Sequence, residues 1–194
     1  MERSIEHSKL AAEALAGSRE AYSRLYSETV REVYQTVRFL VREASEADDV
    51  VQDIYLAMFR SFPRYDPARP FRPWLMGIAM RQIRNHRRKR WMQLRIAKKA
   101  EAVQQTAEYD FSGDITDRLS RNSLAQNVEK LPYKLKQTVI LHYFHEYTQE
   151  EIALILGIPL GTVKSRIHAA LQTLRRKRQL GLFQTGKVEE LHES

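Results

Sequence analysis

The chain has 194 residues, of which 43% are hydrophobic and 29% are charged, and its formal net charge is +8. This length suffices for one large domain or two small ones, and the excess of cations favours an anionic partner, most commonly nucleic acid. Cysteine does not occur, which excludes disulfides and thiolate metal sites. No apolar run approaches the roughly 20 residues that span a bilayer, and no signal-peptide core follows the charged N-terminus, so we expect a soluble intracellular protein.

The first half of the chain is predicted to be helical. Apolar residues recur at steps of three and four through residues 8–42, and Gly17-Ser18 divides this stretch into a short and a long helix. Another helix is predicted for residues 46–62, ended by the proline-rich segment "FPRYDPARPFRP". Helical spacing resumes over residues 73–95, and no convincing strand pattern is found. We therefore predict an all-helical first domain, residues 1–95.

The helix predicted for residues 46–62 has an unusual outer face. Its apolar residues cluster on one side of a helical wheel, whereas the opposite side carries Asp49, Gln52, Asp53, Leu56 and Arg60. An exposed leucine among carboxylates and an amide indicates a docking surface for a protein partner with basic or amide groups. Two alternatives remain: a lone exposed leucine, which is common, or a metal site at Asp48, Asp49 and Asp53, which no nearby His or Glu completes.

The next helix is strongly basic. Between Arg81 and Lys99 there are many cations and no carboxylate. Their mutual repulsion destabilises the helix in isolation, which indicates a polyanionic partner that neutralises these charges. Aromatic residues lie just upstream, at Tyr65, Phe71 and Trp74, and rings beside a basic surface suit the stacking of unpaired bases. The alternatives are a solvated basic helix and a core position for Trp74.

The composition then changes. Residues 96–118 are polar, weakly periodic and acidic towards their end, which predicts a flexible linker that is partly helical at its start. A second helical domain is predicted for residues 119–178, followed by a frayed tail at 179–194. The fold class is therefore predicted as all-α, with two small helical domains joined by a flexible linker.

The second domain contains a helix-turn-helix pattern, "YTQEEIALILGIPLGTVKSRIHAALQTLRRK". Thr148 and Glu151 match a capping box at the start of the first helix, Gly157 is suited to ending it, and the second helix is predicted to begin near Gly161. On that second helix, hydrogen-bonding side chains lie in the middle of the outward face and cations at its edges. This arrangement suits a DNA major groove, although a merely solvated face is the alternative.

Both halves together resemble the extracytoplasmic-function sigma factors, the small two-domain sigma factors of bacterial RNA polymerase. The first half does so through "EADDVVQDIYLAMFRSFPRYD", "FRPWLMGIA" and "RNHRRKR", and the second through "LPYKLKQTVILHYFHEYTQEEIALILGIPLGTVKSRIHAALQTLRR". The resemblance covers about residues 8–95 and 119–178. It implies that residues 1–95 form sigma region 2, 96–118 the linker and 119–178 region 4.

The resemblance also implies roles for individual residues. Contact with the β′ clamp helices of the polymerase core is implied for Asp49, Gln52, Asp53 and Leu56. Reading and melting of the −10 element, with a flipped non-template base, is implied for Tyr65, Phe71, Trp74, Arg81, Asn85 and Arg88. Reading of the −35 element is implied for Thr162, Lys164, Ser165, Arg166 and His168. The chain departs from the family at Arg81, where Asn is usual, and at Asn85, where Asp is common.

The implied partners are the RNA polymerase core, including the β flap, promoter DNA, and an anti-sigma factor that can hold the protein at the membrane. We expect a cytoplasmic protein with no cofactor, metal, small-molecule substrate or enzymatic activity. Two other functions remain as alternatives: a helix-turn-helix regulator that binds duplex DNA without polymerase, and a metal-dependent nuclease.

Overall fold

The structure is a computed structural model that describes residues 2–41, 43–101 and 123–189. All regular secondary structure in these ranges is helical, as the sequence predicts. The α-helices are α1 (Glu2–Leu15), α2 (Arg19–Leu40), α3 (Ala47–Ser61), α4 (Phe71–Glu101), α5 (Ser123–Glu129), α6 (Tyr133–Val139), α7 (Gln149–Leu156) and α8 (Leu160–Glu189). Short 3-10 helices precede α3, at Ala44–Glu46, and follow it, at Phe62–Arg64, and a π-helix follows α6, at Ile140–Phe144.

The chain forms two compact units, the first containing α1 to α4 and the second nearly all of the chain from Ser123. The core of the first unit consists of apolar side chains that all four helices bury. Its members include Leu10, Ala11, Leu25, Val33, Val37, Leu40, Val50, Ile54, Met58, Phe71, Leu75, Met76 and Ile83. Because α3 and α4 each bury one side in this core, the direction of their outer faces is determined by packing.

The break between α1 and α2 lies at the predicted position. Gly17 has a φ of 104°, a left-handed conformation that suits glycine, and the Ser18 hydroxyl caps α2 by accepting a hydrogen bond of 3.1 Å from the Ala21 amide. Helix α4 begins at Phe71, two residues before the predicted start. Pro73 is tolerated there because the amide groups of a first helical turn have no partner within the helix.

The second unit packs α5 and α6 against α8. Val128, Leu131, Val139 and Ala170 form a buried cluster, which Leu135 and Leu174 partly cover. A conformation unusual for a non-glycine residue occurs after the π-helix, where Glu146 has a φ of 59°.

The helix-turn-helix is formed as the sequence predicts. The Thr148 amide donates to Glu151 Oε2 at 2.9 Å, and the Glu151 amide donates to Thr148 Oγ1 at 3.1 Å, which is a complete capping box. Gly157, with a φ of 63°, ends α7, and the Ile158 amide returns to the Ala153 carbonyl at 3.0 Å. Helices α7 and α8 meet at 107°, within the usual range for this motif.

Two helices run past the predicted domain boundaries. Helix α4 continues to Glu101, in agreement with a linker that is helical at its start, and α8 continues to Glu189, into the segment predicted as a frayed tail. Both extensions are rich in good helix formers, and isolated glycines weaken a helix without necessarily ending it. Most of the predicted linker lies outside the described residues. Within the described ranges, no single helix is long and apolar enough to cross a membrane. In these ranges, only α7 taken together with the first part of α8 has the length and composition of a span, and these two helices are bent by 107°.

Candidate protein-binding and nucleic-acid interfaces

Helix α3 buries and exposes the residues that the helical wheel assigns to each side. The inner side, fully or almost fully buried, consists of Val50, Val51, Ile54, Tyr55 and Met58. The predicted contact residues on the other side are all exposed: Asp49, Gln52, Asp53 and Leu56. Leu56 keeps 46% of its surface accessible among these polar neighbours. We refer to this row of exposed residues as the α3 face.

One further residue of the α3 face is missing from the sequence-based set. Phe59 is 63% exposed and lies one turn after Leu56. Its ring meets the Tyr22 ring of α2 edge to face, with 5.9 Å between the ring centres. The signal was present in the sequence, because Phe59 follows Gln52 by seven residues and Leu56 by three, which places it on the same stripe of a helix.

The aromatic residues around the loop between α3 and α4 form one cluster. Tyr65 and Phe71 are 4% and 0% exposed, and the centre of the Trp74 ring lies 4.7 Å and 5.6 Å from their ring centres. The Tyr65 hydroxyl donates a hydrogen bond to the Arg69 carbonyl, and burial raises the pKa of this hydroxyl. The Ala68 amide donates to Asp66 Oδ1 at 3.0 Å, which supports the turn of the loop.

This burial corrects the sequence-based set of base-contacting residues. Tyr65 and Phe71 have no surface on which a base could stack, so we remove both from that set. They close the end of the core because the loop around them offers few other apolar side chains. Trp74 is half-buried and retains some accessible surface.

The basic residues of α4 divide into two groups. Arg81, Asn85 and Arg88 are exposed, and their spacing of four and three residues puts them on one side of the helix, in line with Trp74. The side chains of Arg87 and Arg90 instead contact the protein itself. Arg87 donates to the Leu40 carbonyl at 3.2 Å, and Arg90 donates to Glu46 at 2.7 Å and Glu43 at 2.8 Å.

Helix α8 shows the same division into an inner and an outer side. Val163, Ile167 and Ala170 are buried, whereas Lys164, Ser165 and His168 are exposed, and Thr162 and Arg166 are half-buried. Polar groups of the outer side contact each other: Ser165 Oγ donates to the Thr162 carbonyl at 3.0 Å, and the His168 Nε2 and Gln172 Nε2 atoms are 2.9 Å apart. These contacts are solvent-exposed, so a partner could replace them at low cost.

Metal-binding geometry does not occur among the described residues, since no three His, Asp or Glu side chains converge there. This includes Asp48, Asp49 and Asp53, the cluster that the alternative of a nuclease requires.

Comparison with known families assigns both units. Residues 25–92 match the model of Sigma-70 region 2, and residues 121–174 match that of Sigma-70 region 4, so the two together cover more than half of the chain. The first match contains α3 and the cations of α4, and the second contains the helix-turn-helix.

Similar proteins and structures agree with this assignment. The chain is 27% identical over 171 residues to the ECF RNA polymerase sigma factor SigW of Bacillus subtilis, which covers 83% of this chain and 90% of SigW. It is 30% identical over 141 residues to the RNA polymerase sigma factor HrpL of Pseudomonas syringae pv. syringae, covering 71% of this chain and 76% of HrpL.

A solved structure of CnrH in complex with the cytosolic domain of CnrY superimposes with a TM-score of 0.66 and 25% identity, covering 90% of this chain and 98% of CnrH. The fold alone is also shared with the sigma factor RpoE of Bartonella quintana, at a TM-score of 0.65, 17% identity, and coverage of 80% and 94%. The chain therefore belongs to the extracytoplasmic-function sigma factors, the group of the sigma-70 family to which SigW belongs and whose members direct RNA polymerase to start transcription at specific promoters.

Proposed function

We propose that this sigma factor binds the polymerase core through the α3 face and reads promoter DNA through two other surfaces, on α4 and α8. The observation that carries the proposal is the α3 face itself, where Leu56 and Phe59 are exposed in the midst of carboxylates. A regulator that binds duplex DNA without polymerase leaves this face, and the basic and aromatic segment that follows it, unexplained.

The α3 face fits a helical protein surface that is basic at its edges. We propose that Asp49 and Asp53 pair with cations of the β′ clamp helices, and that Gln52 donates and accepts hydrogen bonds there. Leu56 and Phe59 supply the apolar centre, which in most interfaces contributes more affinity than the surrounding charges.

The outer side of α4 fits the non-template strand of the −10 element. Arg81 and Arg88 are spaced along the helix so that they can contact successive phosphates, and Asn85 between them offers a donor and an acceptor to a base edge. Trp74 is only half-buried, and we propose that an unstacked base packs on the accessible part of its ring. Flipping a base costs a few kcal/mol, which contacts of this kind must offset for the open state to be favoured.

The outer side of α8 fits the major groove of the −35 element. We propose that Lys164 and Arg166 contact the phosphates on either side of the groove, whereas Ser165 and His168 reach base edges. Thr162 lies in the first turn of α8, where the positive end of the helix dipole also attracts phosphate.

We further propose that residues 1–95 act as region 2 and residues 119–178 as region 4, which docks on the β flap. The segment 96–118 would lie in the active-site channel and RNA exit path of the polymerase. Promoter opening then draws on binding energy, without a catalytic residue, cofactor or metal in this chain. CnrH forms a complex with the cytosolic domain of CnrY, and we propose a comparable anti-sigma partner and a cytoplasmic location for this protein.

Run-off transcription tests the proposal. Purified bacterial core polymerase is incubated with a library of genomic fragments, with and without the protein. We expect discrete transcripts that require the protein. The Asp53→Arg variant should lose them, because it reverses a charge on the α3 face and leaves the hydrophobic core of the protein unchanged. If no transcripts form while the protein alone binds duplex DNA tightly, it acts as a regulator of the kind that does not need polymerase.

A further inference from the structure

Helix α1 lies before the segment that matches Sigma-70 region 2, which begins at residue 25. Nevertheless, two consecutive residues of α1 contact both ends of the loop between α3 and α4. We infer that His7 and Ser8 are positioning residues that hold this loop in the shape that receives the −10 strand. The inference rests on the proposed binding of the −10 strand by α4, which this loop directly precedes, and it assigns α1 no contact with DNA.

The first contact lies where the loop begins. The Ser8 side chain lies within hydrogen-bonding reach of the Tyr65 hydroxyl and holds the pKa of that hydroxyl below the value that burial alone would give. A tyrosine hydroxyl has a single hydrogen, and that of Tyr65 is donated to the Arg69 carbonyl, so Ser8 is the donor to Tyr65. The Tyr65 hydroxyl thus links α1 to the backbone in the second half of the loop, four residues further on.

The second contact lies where the loop ends and α4 begins. The His7 ring is 6.5 Å from the Phe71 ring, centre to centre, and His7 is 5% exposed. Its Nε2 atom lies 2.8 Å from Glu28 Oε2 on α2, which limits rotation of the imidazole ring. Leu10 and Ala11 bury the next turn of α1 in the core, which anchors this part of α1 next to the loop.

Between these two contacts the loop is exposed. All residues from Asp66 to Pro70 are exposed to solvent. The hydrogen bond at Asp66 joins residues only two positions apart, so it does not tie the loop to another element. The contacts of α1 at the two loop ends do so. A loop that adopts its binding shape for only a fraction of the time binds with an affinity reduced by that fraction. Loss of the hydrogen bond of Ser8, which is half-buried, should therefore weaken strand binding about threefold to fivefold.

The test uses holoenzyme assembled from core polymerase and the full-length protein. The probe is a fluorescent single-stranded oligonucleotide with the −10 non-template sequence of a promoter found by run-off transcription. We expect Ser8→Ala to weaken probe binding about threefold to fivefold. Tyr65→Phe also removes the bond to the Arg69 carbonyl and should weaken it at least as much, and the double variant should lose little more than Tyr65→Phe alone. Ser8→Thr, which keeps the donor, should bind nearly as well as the wild type.

Three controls separate positioning from general destabilisation. Ser23→Ala changes an exposed serine of α2 and should leave probe binding unaltered. Affinity for core polymerase and the melting temperature are measured for every variant, and Ser8→Ala should change neither by an amount comparable to its effect on the probe. Arg88→Ala changes a residue of the proposed DNA surface itself and should weaken probe binding directly.

Each contrary outcome has its own meaning. If Arg88→Ala weakens probe binding and Ser8→Ala does not, the inference about α1 is wrong and the proposed function of α4 stands. If Ser8→Ala lowers probe and core affinity equally, its role is structural only, which also overturns the inference. If neither variant affects the probe, the loop and α4 do not read the −10 strand, and both proposals are wrong.

Discussion

Leu56→Ala tests whether the α3 face binds polymerase. Leu56 is the apolar residue of this face whose position was predicted from the sequence, and 46% of its surface is exposed. Removing its side chain leaves the neighbouring carboxylates in place, so the variant isolates the apolar contribution to binding.

The expected size of the effect follows from the exposed fraction. Complete burial of a leucine side chain contributes about 1.5–3 kcal/mol. Slightly less than half of the Leu56 surface remains for a partner to cover. Its contact with the polymerase core is therefore expected to contribute about 1 kcal/mol, which is about a fivefold change in Kd. The packed half contributes to folding, so thermal unfolding of the free protein must be measured alongside.

Leu94→Ala is the matched control for this experiment. Leu94 lies on α4, and its exposed fraction is also 46%. Binding of labelled protein to purified core polymerase, measured by fluorescence anisotropy without DNA, should weaken about fivefold for Leu56→Ala and remain unchanged for Leu94→Ala. Equal losses for the two variants, or none for Leu56→Ala, would refute the assignment of the α3 face.

Three further predictions concern other parts of the chain. Arg166→Ala should weaken binding to −35 duplex and reduce the slope of log affinity against log salt by about 1, and an unaltered slope excludes a phosphate contact. Tyr55→Phe should cost about 1 kcal/mol at neutral pH, because the Tyr55 hydroxyl bonds to Thr29 Oγ1 at 2.9 Å. Burial raises the pKa of Tyr55 in the folded protein. Above about pH 10 the hydroxyl therefore ionises in the unfolded chain first, which lowers the stability of the wild type only. The free energies of unfolding of the wild type and the variant, measured by urea denaturation, should converge in that pH range. Glu146→Gly should raise the free energy of unfolding by about 0.5–1 kcal/mol, since glycine relieves the positive φ; a lower melting temperature would contradict this.

The features that the sequence predicted well depend on short-range interactions. The capping box joins Thr148 and Glu151, three residues apart, and the end of α7 depends on the conformation of Gly157 alone. The two sides of α3 follow from helical periodicity, which needs no knowledge of what packs on the inner side. Sigma-factor motifs are formed from these same local patterns, so the amino-acid sequence alone suffices to indicate the family.

The features that the sequence missed depend on residues far apart in the chain. The pairs that engage Arg90, with Glu46 and Glu43, join positions 44 and 47 residues apart. The sequence shows that this segment of α4 is basic but not which cations are already neutralised. Likewise, the proline-rich context of Tyr65 and Phe71 predicted a loop, but only tertiary packing determines that both rings turn inward.

The division of the α4 cations explains how so basic a helix is stable and still keeps cations accessible for the DNA strand that we propose it binds. The charge of Arg90 is offset by two carboxylates and that of Arg87 is partly offset by a backbone carbonyl, so repulsion is relieved on the side of α4 that packs on the protein. Arg81 and Arg88 lie on the exposed side, where their charge is screened by solvent in the free protein. In the proposed complex, the phosphate strand releases its own counterions and meets a surface whose geometry the opposite side of α4 already holds in place. The intramolecular pairs and the exposed cations would then be complementary parts of one helix: the first set orients α4, and the second set contacts the strand in that orientation.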